Sequence, residues 1–323
     1  MTLSQLRTFA LVARLGSMRA AAGVLGVSEP AVSAAIAALR TDLGDALVVR
    51  AEGGIALTAG GRRLAAHADE IVGLADRARR EVTAAGTFGD SLRVVATAAF
   101  EEHAAAALID AFTRRSPGTS VELGCERAER LTAALVDRSA DIVLGLRPAT
   151  VGDVTLDVVP FLRYQRIVVA GPAFRRTDHP MPMAELAAQR WLTGPEGIEE
   201  RSAEGRWLAG SPVLTDLVAM SSEAEALAAV LAGDGVMLAL RHVVREHLRH
   251  GALVRVPASG TPVQGLWCAS TLGHRRATPG ARALQRFATT PDATAAMVGS
   301  SLPAAGSLRR ARPVPPVHVT LWS

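Results

Sequence analysis

The stretch LGVSEPAVSAAIAALR, residues 25–40, carries the clearest local pattern in the chain. Its apolar side chains recur at helical spacing, so that Val32 and Ile36 fall on one face. Ser28 is a typical helix N-cap, and Pro30 is compatible with the first turn of a helix. We therefore predict a helix that begins after Ser28, with small side chains on the face opposite its apolar side.

Two shorter helices are predicted ahead of this one. The run SQLRTFALVARLG predicts a helix that ends at Gly16, and SMRAAAGVLG predicts a second, capped by Ser17 and ended by Gly26. Two short helices joined by a tight glycine-containing turn form a helix-turn-helix. The following segment, ALVVRAEGGIALT, has two β-rich runs around Gly53 and Gly54, which predicts a hairpin that would form a wing.

Residues 61–86 are predicted to form a long linker helix. Apolar side chains repeat every seven residues along it, which is typical of a coiled-coil seam between two chains. The alternative is an amphipathic helix that packs on its own domain. The two rows of the repeat are Leu64, Ile71 and Ala78, and Ala68, Ala75 and Val82.

The pattern changes after the linker GTFGD, residues 86–90. The runs SLRVVATA, TSVELGC and DIVLGL read as strands with helices between them, and a second alternating series begins at YQRIVVAG and closes with PGARALQRFA. This order predicts an α/β domain over residues 90–292, with a mostly parallel sheet covered by helices. Residues 293–323, rich in Ala, Pro, Ser and Arg, are predicted to be a flexible tail.

Composition and the absence of certain motifs limit the classes of function that we expect. All 35 basic residues are arginine and the net charge is +4, too small by itself to indicate nucleic acid. With Cys125 and Cys268 as the only cysteines and arginines interrupting the N-terminal apolar run, we expect a cytoplasmic protein with buried thiols and no membrane partner. The sequence contains no G-x-S-x-G, P-loop, C-x-x-C or H-E-x-x-H motif, so we expect no enzyme, cofactor or metal site.

Residues 2–290 resemble the LysR-type transcriptional regulators. The resemblance rests on LRTFALVARLGSMRAAAGVLGVSEPAVSAAIAALRTDLGDALVVR, then LTAGG and LRVVAT, and more weakly on SPGTSVEL, ADIVLGL and AVLAGDGVMLAL. It implies an N-terminal winged helix-turn-helix over residues 1–60, a dimerising linker helix, and a two-lobed α/β effector domain like a periplasmic binding protein. It also implies a homodimer or homotetramer that binds double-stranded promoter DNA and responds to a small-molecule effector, with RNA polymerase as a further candidate partner.

The DNA-reading positions depart from the family pattern. The family typically has glutamine where this chain has Glu29, and often arginine where it has Ala34 and Gly53. Residues 1–86 hold ten arginines and eight carboxylates, a net charge of +2, which is low for a domain that neutralises phosphates. The competing interpretation is therefore a small-molecule-binding protein whose DNA-binding head has degenerated into a dimerisation module.

Candidate DNA contacts fall into three chemical groups. Glu29 could accept a hydrogen bond from a cytosine amino group, or it could only favour the dipole of its own helix. Hydroxyls that could donate to phosphates are those of Ser17, Ser28, Ser33 and Thr58; cations near the backbone are Arg19, Arg50 and Arg62; small apolar groups that could pack on thymine methyls are Pro30, Ala31 and Ala34.

Effector contacts are expected where strand ends meet helix starts. The resemblance implies that the hydroxyl of Thr97 and the backbone N–H groups of Ala98 and Ala99 hold an effector carboxylate. We expect Glu101 and Glu102 to face solvent; if either faced the cleft, a cationic or neutral effector would be favoured. Further candidates by register are Glu126, Arg147, Thr193, Ser221 and Ser222.

Overall fold

The computed structural model describes residues 1–51, 54–84, 91–151, 154–174, 179–210, 216–273 and 276–299. These residues divide into two compact units. One is formed by the described residues of 1–89 together with 133–140, and the other by those of 90–132 and 141–299. We call the first unit the head and the second the effector domain.

The head begins with three helices, α1 (Leu3–Leu15), α2 (Met18–Leu25) and α3 (Glu29–Leu43). The first two helices end where the sequence predicts, because Gly16 and Gly26 take left-handed φ angles of 63° and 67° at the helix ends. Pro30 lies in the first turn of α3, where its missing N–H breaks no helical hydrogen bond.

A compact apolar core holds the three helices together. It is built around Phe9, Val12, Val32, Ile36 and Leu39, none of which is more than 1% exposed. Strands β1 (Val48–Ala51) and β2 (Gly54–Leu57) pair antiparallel beside it and form the predicted wing hairpin. Gly53, at the tip of the predicted wing, lies outside the described residues.

The linker helix α4 spans Ala59–Ala84, so it begins two residues before its predicted start. Its predicted seam divides into two parts. Leu64 packs against the head core and Ala68 is fully buried, which matches the alternative of packing within its own domain. Further along the seam, Ile71 and Val82 are 41% and 77% exposed. Leu74, which the predicted seam did not include, is 52% exposed beside them, so this end of the helix has apolar side chains available to a partner.

The chain from residue 91 onward alternates strands and helices. The helices are α5 (Ala98–Phe100), α6 (Ala106–Arg115), α7 (Leu131–Val136), α8 (Met183–Ala187), α9 (Ala203–Ala209), α10 (Glu223–Ala232), α11 (Arg245–Arg249), α12 (Pro279–Ala288) and α13 (Pro291–Gly299). The strands are β3 (Ser91–Ala96), β4 (Ser120–Cys125), β5 (Ile142–Gly145), β6 (Leu156–Ala170), β7 (Arg190–Thr193), β8 (Asp216–Ala219), β9 (Val236–Leu240), β10 (Val254–Arg255) and β11 (Val263–Leu272). A π-helical turn, Glu101–Ala105, joins α5 and α6 into one continuous helical segment.

The strands join in the order β4-β3-β5-β11-β6-β9-β7-β8, with β10 paired to β6. Strands β3, β4 and β5 run parallel, as do β7, β8 and β9, but β6 and β11 are antiparallel to all their neighbours. The prediction of a mostly parallel sheet is therefore wrong, because these two long strands cross between two parallel groups.

The crossing strands divide the effector domain into two lobes. Their register shifts where Trp267 pairs with Leu162 and Cys268 pairs with Pro160, which leaves Phe161 as an extra residue. We call residues 91–132 and 141–160, together with 268–299, the first lobe and residues 161–267 the second lobe. A shared core that includes Phe100 and Trp267 runs under both.

Two element boundaries differ from prediction. Strand β6 begins at Leu156, well before the predicted start at Tyr164. The predicted tail was wrong in its first residues, because α13 continues to Gly299 and buries Ala293 and Met297. The rest of that tail, 300–323, and the predicted linker at 86–90 lie outside the described residues.

Among the described residues, no single helix is both long enough and apolar enough to cross a membrane. Helices α2 and α3 together meet that test of length and composition, with a bend of 111° between them.

Candidate functional site

The outer face of α3 is exposed over its first turns. Glu29, Pro30, Ala31, Ser33 and Ala34 all lie on that face, while the opposite side packs into the head core. The exposed surface is therefore small and smooth, with one carboxylate as its only charge in these turns. Such a helix can enter a major groove closely, but it offers few donors to base edges.

The predicted phosphate-binding hydroxyls differ in their availability. Ser17 and Ser28 cap α2 and α3, accepting hydrogen bonds from the amides of Ala20 and Ala31 at 3.2 and 3.4 Å. Their own O–H protons are not used by these bonds, so both hydroxyls can still donate.

The hydroxyl of Thr58 already makes two hydrogen bonds within the head. Its hydroxyl donates to Asp45 Oδ1 at 2.7 Å and accepts from the amide of Gly61 at 2.8 Å. This hydrogen bond, with one from the amide of Leu47, lowers the pKa of Asp45 below its usual range. A contact of Thr58 with phosphate stays a prediction, and it would require the hydroxyl to give up the hydrogen bond that it donates to Asp45.

The predicted cations lie on the surface. Arg19, Arg50 and Arg62 are exposed. Arg62 donates from Nη1 to the carbonyl of Leu57 at 2.9 Å, which holds its guanidinium group close to β2. Arg40, the single arginine of α3, donates within the head to the carbonyls of Ala46 and Val48 at 2.6 and 2.9 Å.

In the effector domain, the corner after β3 is occupied by a side chain that no pattern in the sequence indicated. Glu196 follows β7 in the second lobe, and its Oε1 accepts from the amide of Ala99 at 2.9 Å. Glu196 is 3% exposed, and burial raises its pKa although the Thr97 hydroxyl acts in the opposite direction. The place assigned to an effector carboxylate is therefore filled by the carboxylate of this chain.

A second link crosses the lobes in the opposite direction. Glu102, in the first lobe, accepts from the backbone amides of Glu223 and Ala224 at the start of α10, the former at 2.9 Å. Its neighbour His103 contacts Glu223, with 3.1 Å between Nε2 and Oε2. The expectation that both glutamates face solvent was wrong for Glu102, whereas Glu101 is exposed.

Behind these links lies a fully buried arginine. Arg166, on β6, pairs with Glu223 and, at 3.2 Å, with Glu204, and it donates to the carbonyl of Leu238 at 3.1 Å. Burial raises the pKa of Glu204, whereas Arg166 and His103 outweigh burial at Glu223 and lower its pKa. The only hint in the sequence was a charged residue inside the apolar run YQRIVVAG.

Three predicted effector contacts are satisfied inside the domain. Thr193 is buried and donates to Glu204 Oε1 at 2.8 Å. Ser222 caps α10 by accepting from the amide of Glu225 at 3.1 Å, and the hydroxyl of Ser221 donates to the Glu225 carboxylate at 2.5 Å. Thr193 and Ser221 thus use their hydroxyl protons, and Ser222 uses an oxygen lone pair, in hydrogen bonds within the domain.

Acidic groups surround the remaining part of this corner. Cys125 is exposed, contrary to the expectation of a buried thiol, while Cys268 is buried. Partial burial raises the pKa of the Cys125 thiol, and the nearby carboxylates raise it further: Glu101, Glu196, Glu126 and Glu199. The predicted contact Glu126 is therefore one member of a negative cluster.

A cavity of about 420 Å³ lies elsewhere on the boundary between the lobes, against the crossing strands. Arg147 from the first lobe lines it, together with Arg163, Arg201 and Arg206. Tyr164 and Gln264 also face this space, and no carboxylate occurs among the described residues that line it. We call it the arginine cavity.

A winged helix-turn-helix followed by a long helix and a two-lobed α/β domain defines the class of ligand-responsive DNA-binding regulators. Residues 3–62 match the family model for the bacterial regulatory helix-turn-helix protein of the lysR family, and residues 85–290 match the LysR substrate binding domain. The chain belongs to the LysR family of transcription regulators. It is therefore a transcription regulator with an effector-binding domain, in a family whose members are not enzymes.

Similar proteins agree with this assignment. An uncharacterised HTH-type transcriptional regulator of Mycobacterium tuberculosis is 38% identical over 329 residues, covering 100% of both chains. ArgP from Mycobacterium tuberculosis superposes with a TM-score of 0.61 at 20% identity, over 91% of this chain and 97% of that chain. CbnR complexed with its target DNA gives 0.56 at 23% identity, over 90% and 99%. At these identities the two solved structures establish the fold.

Proposed function

We propose that this regulator acts in the cytoplasm as a homodimer or homotetramer that binds promoter DNA through α3 and the wing. RNA polymerase and a small-molecule effector are its further partners. The observation that carries the proposal is the exposed face of α3, whose small side chains leave the helix free to approach base edges. Arg19, Arg50 and Arg62, together with Ser17, Ser28 and Ser33, would contact phosphates beside it.

Few cations on α3 imply that avidity supplies much of the DNA affinity. The exposed part of α4, with Ile71, Leu74 and Val82, supplies an apolar surface for pairing two copies. We expect the double change Ile71→Glu and Leu74→Glu to shift the purified protein to a smaller assembly, measured by light scattering after size-exclusion chromatography. Arg63→Glu, an exposed change on the same helix, is the control and should leave the mass unchanged.

The proposed DNA contacts are tested by fluorescence anisotropy on the DNA upstream of the regulator's own gene, against a scrambled duplex over a salt series. Tighter binding to the upstream DNA with a shallow salt dependence supports a reader that makes few phosphate contacts. Equal, weak binding to both duplexes would instead support the degenerate-head alternative.

Glu29→Gln sharpens this test. An amide can both donate to and accept from adenine, so we expect tighter binding, by about 1–3 kcal/mol, or an altered preference at one base position. Glu185→Gln, an exposed change in the effector domain, is the control. Unchanged affinity and unchanged preference would mean that Glu29 does not face the bases.

A further inference from the structure

The arginine cavity has an unusual charge balance. Four arginines line it, and within the described part of the chain none of the four pairs with a carboxylate. Their resolved side-chain hydrogen bonds go to neutral oxygens: Arg163 donates to Gln264 Oε1 at 2.8 Å, and Arg206 donates to the carbonyl of Arg201 at 2.7 Å. Four guanidinium groups around one space produce a positive potential that the cavity walls do not neutralise.

Guanidinium groups suit one kind of ligand particularly well. Their planar donors match the paired oxygens of carboxylates and phosphates, often through two parallel hydrogen bonds. A volume of about 420 Å³ lies within the range of small-molecule sites and accommodates a compact metabolite.

Tyr164 and Gly265 form one wall of the cavity, which we call its floor. Tyr164 is 4% exposed and packs against Trp267, with 4.9 Å between the ring centroids. Gly265 allows this position, because a Cβ atom there would lie 2.1 Å from Cζ of the Tyr164 ring. The floor is thus fixed by close packing, and the arginines surround it.

The alternative place for an anion is closed. At the corner of Thr97 and Ala99, Glu196 already accepts the backbone amide, and further carboxylates surround Cys125. A second anion there would meet like charges. The corner therefore disfavours an anion, and the preference for a cationic or neutral ligand that a carboxylate facing the cleft implies applies to this corner, where Glu102 and Glu196 lie.

We propose that the arginine cavity binds a small organic anion with at least two negative charges, carried by carboxylate or phosphate groups. Arg147 belongs to the first lobe and Arg201 to the second, so the ligand bridges both lobes. The inference rests on the proposed function, since it names the chemical class of the effector of this regulator.

The test uses the full-length protein and isothermal titration calorimetry. Citrate represents polycarboxylates, pyrophosphate represents phosphates, and the cation spermidine is the charge control. We expect saturable binding of citrate or pyrophosphate, with one site per chain, and no competition by spermidine. In the double variant Arg147→Gln and Arg201→Gln, affinity should fall at least tenfold. Arg249→Gln, which removes an exposed arginine paired with Glu246, should bind as the wild type does.

Each outcome decides the proposal. No saturable binding of either anion overturns it, and so does equal affinity in the wild type and the double variant. If the double variant fails to fold by circular dichroism, the single variant Arg206→Gln, on the exposed side of α9, replaces it with the same expectation of weaker binding. Promoter binding by the same samples distinguishes failure of the proposed function from failure of this inference. If the wild type does not bind promoter DNA specifically, the proposed function is refuted. If it binds promoter DNA but neither anion, only this inference is refuted.

Discussion

The corner at Thr97–Ala99 and the arginine cavity both lie on the boundary between the two lobes, yet they carry opposite charges. At the corner, the chain supplies its own anion, Glu196, to the backbone amide of Ala99. In the cavity, four arginines have no carboxylate among the lining residues that the structure describes. The difference teaches that a family binding position is defined by which charges remain unpaired, and sequence register alone does not reveal these.

The largest expected effect comes from removing the cation behind the corner. Arg166→Met would leave Glu204 and Glu223 buried without their partner. We expect the free energy of unfolding to fall by about 3–5 kcal/mol, because a buried charge without compensation is costly. Chemical denaturation measures the change. The control Arg190→Met, in an exposed pair with Asp216, should cost less than about 1 kcal/mol; equal losses in the two variants would contradict this interpretation.

A pH series tests the same side of the comparison. Burial, with the nearby charges of His103 and Arg245, lowers the pKa of His242 from 6.5 to about 4. The unfolded chain therefore takes up this proton first as pH falls, and stability decreases between about pH 6.5 and 4. The buried Glu196 and Glu204 have the opposite effect. Their pKa values are raised in the folded protein, so their contribution to the free energy of unfolding decreases as pH rises.

The contribution of His242 is isolated by a variant. His242→Gln should flatten the acid loss by up to about 3 kcal/mol, at about 1.4 kcal/mol per pKa unit. Urea denaturation at several pH values measures it, with exposed His67→Gln as the control. An unchanged slope in His242→Gln would show that other groups cause the acid loss.

The smallest effect is expected from emptying the corner itself. Glu196→Ala leaves the amide of Ala99 without its acceptor, so we expect a loss of about 1–3 kcal/mol in unfolding free energy. We also expect the variant to gain weak binding of acetate, detected as a rise in melting temperature. Glu196→Gln keeps an oxygen acceptor and should show neither change. If acetate stabilises the wild type as strongly as Glu196→Ala, the corner is not closed by Glu196.

The head was predictable because its signals are local. The caps at Ser17 and Ser28 and the left-handed glycines at 16 and 26 act over a few residues, so helix limits could be read from the sequence. By contrast, the hydrogen bond from Thr58 to Asp45 could not be predicted, because the two residues are 13 positions apart.

The effector domain was predictable only as a succession of elements. Ala99 and Glu196 are 97 residues apart, and no periodicity in a single sequence specifies such a pair. The crossing strands were equally hidden, because an apolar run indicates a strand without giving its direction. Arg166 inside an apolar strand was a usable signal, since a charge in a buried run requires a partner.

The two links between the lobes run in opposite directions, and this has a consequence for motion. Glu196 reaches from the second lobe to the first, and Glu102 reaches from the first to the second. Full separation of the lobes would leave two carboxylates and two helix starts without their partners. We therefore expect the domain to populate two discrete states, with a bound ligand changing their ratio more than their geometry.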